Sequence, residues 1–177
     1  MMIRTARLIL TSLQERHRRE FAEMHCDPDV MADLGGPFDQ GKSDAKFDRY
    51  RMALTEHGIS RWAIEDSQGQ FLGYTGVMFR PDAVHPLGPH LEVGWRLRRC
   101  AWGQGYATEG ASVSLNEAFS TRKQGRIFSY TSSENLRSQS VMRKLGLKRA
   151  RELDFAFAYN GIDEWNGRVW LAEPPEV

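Results

Sequence analysis

Residues 97–109 carry the strongest structural signal of the chain and read Leu97-Arg98-Arg99-Cys100-Ala101-Trp102-Gly103-Gln104-Gly105-Tyr106-Ala107-Thr108-Glu109. They lie between a predicted strand and a predicted helix. Backbone N–H groups in such a turn can point at an anion, and the helix N-terminus adds its dipole. A side chain at Gly103 or Gly105 would obstruct the approach of a phosphate to the backbone. The stretch therefore predicts a pyrophosphate-binding loop, to which Arg96, Arg98 and Arg99 would add positive charge.

Two other nucleotide-binding motifs fit this turn poorly. The dinucleotide fingerprint G-x-G-x-x-G/A needs a small residue where Thr108 stands, and the P-loop pattern G-x-x-x-x-G-K-S/T is absent. A turn with a purely structural role is the remaining alternative, because short glycine motifs are weak signals on their own.

Hydrophobic patterning predicts the element order β-α-α-β-β-β-α-β-α-β-β. The predicted strands cover residues 7–10, 62–64, 71–79, 91–97, 126–131, 153–159 and 169–171, and the predicted helices cover residues 15–26, 44–54, 106–119 and 135–145. Residues 66–69 predict a hairpin turn, and Asn160-Gly161 predicts a second one. This order indicates an α/β fold in which helices flank a mixed sheet.

Composition narrows the class of protein. The chain has 177 residues, of which 41% are hydrophobic, and its formal net charge is +1. Length predicts one domain over residues 1–177, and the balanced charge argues against a nucleic-acid partner. No apolar run approaches the length of a membrane span, and the first residues do not form a signal peptide. Cys26 and Cys100 form no CxxC pair and no HExxH motif is present, so we expect a cytoplasmic protein without a metal site.

The loop and several other stretches resemble one family. Residues 102–109 resemble the acetyl-CoA pyrophosphate loop of the Gcn5-related N-acetyltransferases (GNAT), written Q/R-x-x-G-x-G/A. The branch that the chain resembles most is that of the ribosomal-protein serine/alanine N-terminal acetyltransferases. The resemblance extends over nearly the whole chain and includes residues 5–10, 27–31, 69–76, 92–97, 135–138 and 144–147. Cys100 departs from the family's Q/R position, so a phosphate contact there would have to come from the backbone or from Arg98 and Arg99.

The resemblance implies a fold and a cosubstrate. The fold would be the GNAT fold, with a mixed, mostly antiparallel sheet of six to seven strands flanked by helices. The cosubstrate would be acetyl-CoA, with no metal. The residues implied to bind it are Trp95, Arg96, Leu97, Gly103, Gln104, Gly105, Tyr106, Ala107, Thr108 and Asn135. For Asn135, a helix N-cap is an equally good interpretation.

The family's reaction is direct attack of an amine on the thioester, and it implies two catalytic residues. Glu92 is the candidate base, because it precedes Leu97 by five residues on the same strand; an ion-paired carboxylate is the alternative interpretation. Ser138 matches the branch position that protonates the leaving thiolate, with a buried structural serine as the alternative.

The acceptor is the least determined part of the prediction. An N-terminal amine with a pKa near ~8 is about a tenth neutral at pH 7, whereas a lysine amine is less than ~0.1% neutral. A site without a strong base therefore suits α-amines, or polyamines with lowered pKa values. Branch resemblance implies a protein N-terminus, that of a ribosomal or another protein. The alternatives are a small amine such as a polyamine or amino sugar, or a CoA-binding domain without catalysis. We expect a monomer or a homodimer.

Overall fold

A computed structural model describes residues 2–120, 125–159 and 162–174. The strands are β1 (Met2–Arg4), β2 (Ile9–Ser12), β3 (Trp62–Glu65), β4 (Phe71–Arg80), β5 (His90–Leu97), β6 (Ile127–Thr131), β7 (Lys148–Arg149), β8 (Phe155–Tyr159) and β9 (Ile162–Ala172). The helices are α1 (Arg18–Cys26), α2 (Pro28–Met31), α3 (Gln40–His57), α4 (Tyr106–Ser120) and α5 (Leu136–Lys144). The predicted Asn160-Gly161 turn lies outside the described residues.

The strands form one open, mostly antiparallel sheet. Its order is β1-β2-β3-β4-β5-β6-β9-β7, and β8 pairs with the other end of the long strand β9. The only parallel neighbours among the described strands are β5 and β6, and they share a single register pair, Glu92 with Phe128. This arrangement confirms the predicted GNAT fold.

The sheet has nine strands instead of the six or seven expected from the sequence. The two additions, β1 and β7, are three and two residues long. Strands this short contain too few residues to show hydrophobic alternation. The structure also adds the short helix α2, where Asp27 accepts the N–H of Asp29 at 3.0 Å and so caps a helix beginning at Pro28.

Helices cover both faces of the sheet. Alternation along β4 sends Tyr74 and Met78 into a cluster with α1 and α3, which contribute Phe21 and Phe47. Val77 points to the opposite face, into a second cluster. Residues of that second cluster include Val93, Ala111, Leu115, Ile127 and Met142 from β5, α4, β6 and α5. Helices α4 and α5 therefore pack on the face of the sheet that contains the junction of β5 and β6.

Within the described residues, no helix has the length and apolar character needed to cross a membrane. The same residues contain no grouping of three or more His, Cys, Asp or Glu side chains arranged to hold a metal ion.

Candidate active site

A groove of about 1100 Å³ opens where β5 and β6 part. Trp95, Arg96 and Leu97 from the end of β5 line one side of it, and α5 lines the other. Because the two strands pair only at Glu92 and Phe128, the residues beyond that pair are free to form the walls of a ligand-sized opening. Three of the predicted binding residues are thus brought to the groove by the separation of the strands.

The predicted pyrophosphate loop forms one end of this groove. Gly103 and Gly105 have φ values of 76° and 78°, a left-handed conformation that favours glycine. A Cβ atom at Gly103 would meet nothing within 4 Å, and one at Gly105 would meet only the Arg7 guanidinium at 3.5 Å. Space therefore remains for a ligand beside the loop, directly before helix α4 begins at Tyr106. Gly103, Gly105, Tyr106, Ala107 and Thr108 all line the groove.

Gln104, also predicted to bind the cosubstrate, is not among the residues that line the groove. Its backbone carbonyl accepts a hydrogen bond of 2.8 Å from Nη1 of Arg7. Arg7 in turn pairs with Glu109 in the first turn of α4, at 2.6 Å. The side chain of Arg7, in the N-terminal segment, therefore connects the loop to the first turn of α4.

Arg98 and Arg99 do not line the groove and both are ion-paired, so the expectation that they add charge at the loop is not supported. Arg98 pairs with Glu20 at 2.8 Å and with Glu23 at 3.4 Å. Arg99 pairs with two carboxylates of the α1–α2 region, those of Asp27 at 2.7 Å and Asp29 at 2.6 Å. Both arginines therefore tie the end of β5 to the helices that cover it.

Two cationic side chains of α5 line the groove instead. They are Arg137, whose guanidinium carbon lies 4.1 Å from the centre of the Trp102 ring, and Lys144. The sequence analysis missed both residues. Their i, i+7 spacing on the helix predicted over residues 135–145 is the signal that could have identified them, because that spacing places two residues on one helix face.

Asn135 caps helix α5 and also lines the groove. Its Oδ1 accepts the N–H of Ser138 at 3.0 Å, which confirms the capping interpretation. Its amide Nδ2 donates to Asp33 at 2.7 Å. Ser138 lies one turn into the helix, where the groove meets a second, smaller cavity.

That second cavity, here called the inner pocket, has a volume of about 100 Å³. It shares Asp33, Trp95, Arg96, Ser138 and Trp165 with the groove, so the two spaces adjoin each other. Predicted residues Glu92 and Ser138 both line it. The fold therefore brings the two candidate catalytic residues to one cavity at the end of the groove.

Glu92 is ion-paired within the inner pocket. Its Oε1 lies 2.9 Å from Nη2 of Arg61, and its Oε2 lies 3.7 Å from Nε of Arg80. Burial acts to raise the pKa of Glu92, but the two guanidiniums outweigh it and the pKa lies below its usual value. A carboxylate with a lowered pKa is a weaker proton acceptor. The assignment of Glu92 as base stays an untested prediction, and its ion pairs favour the alternative interpretation.

Helix α3 adds Lys46 and Tyr50 to the inner pocket, and the sequence analysis gave neither a role. Lys46 is only 7% exposed, and burial lowers its pKa to about 8. Burial alone would raise the pKa of Tyr50, but Lys46, Arg61 and Arg49 lower it overall. A lysine one turn before a tyrosine on the buried face of an amphipathic helix is the sequence feature that could have indicated this pair.

Comparison with known proteins identifies what this arrangement resembles. The family described as an acetyltransferase (GNAT) domain matches residues 7–148. The Bacillus subtilis protein YkkB is 28% identical over 171 residues, which cover 96% of this chain and 92% of that protein. An FsC-acetyl coenzyme A-N(2)-transacetylase from Aspergillus fumigatus is 30% identical over 152 residues, which cover 82% of this chain and 64% of that protein.

Solved structures share the fold. An acetyltransferase from Agrobacterium tumefaciens superposes with a TM-score of 0.81 at 22% identity, covering 98% of this chain and 94% of that one. A RimL ribosomal L7/L12 α-N-protein acetyltransferase in complex with coenzyme A gives 0.74 at 15% identity, covering 98% of each chain. A spermidine N-acetyltransferase from Vibrio cholerae, in complex with CoA and spermine, gives 0.74 at 16% identity, covering 96% and 97%.

Proposed function

Because the chain belongs to the GNAT acetyltransferase family, we propose that it binds acetyl-CoA in the groove between β5 and α5 and acetylates a primary amine that enters the inner pocket. One observation carries the proposal: two glycines with positive φ open the loop before α4 into a groove of about 1100 Å³. The open space at Gly103 fits a pyrophosphate lying against the backbone.

Each part of the groove has a role in this proposal. The loop and the N-terminus of α4 bind the pyrophosphate, and Arg137 and Lys144 add positive charge on the opposite wall. The backbone of Trp95, Arg96 and Leu97 binds the pantetheine arm together with Asn135, and an amide at the end of β5 polarises the thioester carbonyl. When bound, acetyl-CoA supplies an acyl group activated as a thioester.

Proton transfer is assigned to the residues at the junction of the two cavities. Ser138 lines both the groove and the inner pocket; its hydroxyl donates a proton to the leaving sulfur and takes up the proton that the attacking amine loses as the amide bond forms. Glu92 holds Arg61 and Arg80 in place and is a positioning residue. An acceptor amine with a pKa near ~8 is partly neutral at pH 7 and needs no strong base. The proposal therefore favours an α-amine, with a protein N-terminus as the acceptor implied by branch resemblance.

A small-molecule amine is the second candidate acceptor. It is favoured by the inner pocket, whose volume is only about 100 Å³. The names of the Aspergillus fumigatus and spermidine-acetylating relatives also indicate acceptors other than a ribosomal protein.

Two measurements test the proposal. Acetyl-CoA in large excess over its Kd should raise the melting temperature, because a ligand that binds only the native state stabilises it. Thiol release from acetyl-CoA should then depend on an added primary amine. Equal stabilisation by acetyl-CoA and by ATP would contradict the proposed groove. Stabilisation by acetyl-CoA without thiol release on any amine would indicate a binding domain instead of an enzyme.

A further inference from the structure

The inner pocket contains more positive than negative side chains. Its described lining includes five cationic side chains, which are Lys46, Arg49, Arg61, Arg80 and Arg96. The same lining includes two carboxylates, those of Asp33 and Glu92. His85 also lines the pocket, but burial and nearby positive charge lower its pKa to about 4, so it is neutral at pH 7. The described lining therefore carries a formal excess of three positive charges.

Both carboxylates already have partners. Glu92 pairs with Arg61 and Arg80, as described above. Asp33 accepts a hydrogen bond from Asn135 at 2.7 Å and lies 3.7 Å from Arg96. Two of the three excess charges therefore fall on the α3 side of the pocket, at Lys46 and Arg49, and the third falls where Arg61 and Arg80 share Glu92.

Lys46 is buried without a carboxylate partner, and the negative form of Tyr50 is the group that acts against burial to raise its pKa. Its ammonium lies 5.2 Å from the ring centre of Phe38 and 5.9 Å from those of Tyr50 and Tyr74. Among the described residues, it has neither an ion pair nor a hydrogen bond. Burying a lysine ammonium without an ionic or hydrogen-bonding partner is unfavourable, because the charged group loses its contacts with water. An ammonium kept inside a cavity under these conditions is suited to receive an anionic group of a ligand.

Arg49 extends this positive region toward solvent. It lies one turn after Lys46 on α3, its side chain is exposed, and its guanidinium carbon is 5.8 Å from the Tyr50 ring. The lowered pKa of Tyr50 has the same origin, since Lys46, Arg61 and Arg49 favour its negative form.

We propose that the acceptor carries a carboxylate, or another anion, close to the amine that is acetylated, and that Lys46 and Arg49 bind this anion. This inference rests on the proposed function. A polyamine would bring further ammonium groups into a pocket that already has a positive excess, so it is disfavoured as the acceptor. Two sources share the required chemistry: a free amino-acid-type molecule, and an N-terminal peptide with an acidic side chain near its amine.

The experiment compares matched acceptors on the full-length protein by thiol release. The first pairs are free amino acids and their carboxamides, such as methionine with methioninamide and phenylalanine with phenylalaninamide. The second pairs are peptide amides that begin Ser-Asp-Glu and Ser-Asn-Gln, and spermidine serves as the cationic acceptor. We expect kcat/KM, calculated per neutral amine because the carboxamide lowers the pKa of the adjacent amine, to be at least tenfold higher for the anionic member of the pair that is used. Tenfold corresponds to about one charged contact. A preference within the amino-acid pairs would identify a free amino-acid-type acceptor, and a preference within the peptide pair would identify an acidic N-terminal peptide.

Substitutions on α3 test whether Lys46 and Arg49 cause the preference for the anionic acceptor. Lys46→Met and Arg49→Gln should each raise KM for the anionic acceptor about tenfold and leave KM for its uncharged partner unchanged. Arg51→Gln is the control, because Arg51 lies on the same helix but pairs with Glu15 at 2.8 Å outside the pocket. The melting shift with acetyl-CoA shows whether each variant is folded and binds its cosubstrate.

Three results would overturn the inference while leaving the proposed function intact. They are preferential acetylation of spermidine, equal rates within every pair, and no turnover of any anionic acceptor by a protein that binds acetyl-CoA. Absence of both acetyl-CoA binding and transfer would instead contradict the proposed function itself.

Discussion

Arg7 and Glu109 meet at 2.6 Å across 102 residues of sequence. The pair joins the N-terminal segment to the first turn of α4, and Arg7 also donates to the carbonyl of Gln104 inside the pyrophosphate loop at 2.8 Å. Thr5 adds a hydrogen bond of 2.5 Å to the same Glu109 carboxylate. The conformation of the loop is therefore maintained by residues that do not line the groove.

Loosening this contact should weaken binding of the cosubstrate. We expect Arg7→Met to raise the Kd for CoA by about three- to tenfold, because the loop loses a charged contact to Gln104 and α4. Isothermal titration with CoA measures the change. The matched control is Arg19→Met, which removes an exposed pair on α1, at 3.0 Å from Glu23. Equal Kd values for the Arg7 variant and the unaltered protein would show that the loop keeps its shape without this support.

Substitutions at Gly105 test directly whether the loop binds CoA. Gly105→Asp places a carboxylate in the loop at a φ of 78° and beside the Arg7 guanidinium, so we expect backbone strain and a competing ion pair with Arg7 to lower CoA affinity by about 100-fold or more. Gly105→Ala introduces the same backbone strain without the charge and should lose less affinity. Gly146→Asp is the control at the C-terminal end of α5, because its φ of 73° is nearly the same. Unchanged CoA affinity in Gly105→Asp would remove the loop from the binding site.

Glu92→Gln separates a positioning role from a base. We expect kcat/KM to fall by about tenfold or more at every pH from 6 to 9, because Arg61 and Arg80 lose their shared partner. A catalytic base would behave differently: the loss would reach about 100-fold at pH 7 and recover at high pH, where the amine is neutral without help. A pH–rate profile on one confirmed acceptor distinguishes the two. Recovery toward pH 9 would restore Glu92 as the base.

Ser138→Ala should lower kcat by about ten- to 100-fold while KM for acetyl-CoA changes little. The physical reason is that the sulfur would leave as an unprotonated thiolate. Steady-state kinetics with acetyl-CoA as the varied substrate measures both constants. Ser133→Ala is the matched control, because Ser133 is half-buried before α5 and lines neither the groove nor the inner pocket. A rise in KM with unchanged kcat would assign Ser138 to binding instead.

Stability should fall in mild acid because of His25. Burial, together with the charges of Lys46 and Arg96, lowers the pKa of this fully buried histidine to about 2. Below pH 6.5 the unfolded chain binds a proton that native His25 does not, so the free energy of unfolding decreases by about 1.4 kcal/mol per pH unit. His25→Phe should flatten the pH dependence of urea unfolding between pH 6.5 and 4. His57→Gln, at the end of α3, is the control and should leave the slope unchanged. An unaltered slope in His25→Phe would contradict this origin.

Much of the fold could be predicted because its signals are local. Helix α4 begins at Tyr106 as predicted, and the Gly103–Gly105 turn lies where the sequence placed it. The partners of Arg98 could not be predicted in the same way. Glu20 and Glu23 lie more than 70 residues away, and only tertiary packing brings α1 against the end of β5. For the same reason the sequence did not show that Glu92 pairs with Arg61.

The single register pair between β5 and β6 has a further consequence for how the protein exposes its backbone. Peptide groups that are not part of a ladder invite pairing with a second chain when they lie on an outer edge strand, and proteins usually shield such edges against aggregation. Here the gap lies inside the sheet, with β4 beside one wall and β9 beside the other. A narrow ligand can reach it, whereas a strand of another protein would have to displace α4 and α5. The split sheet thus leaves backbone N–H and C=O groups available to a ligand without creating an exposed edge strand that could pair with another chain.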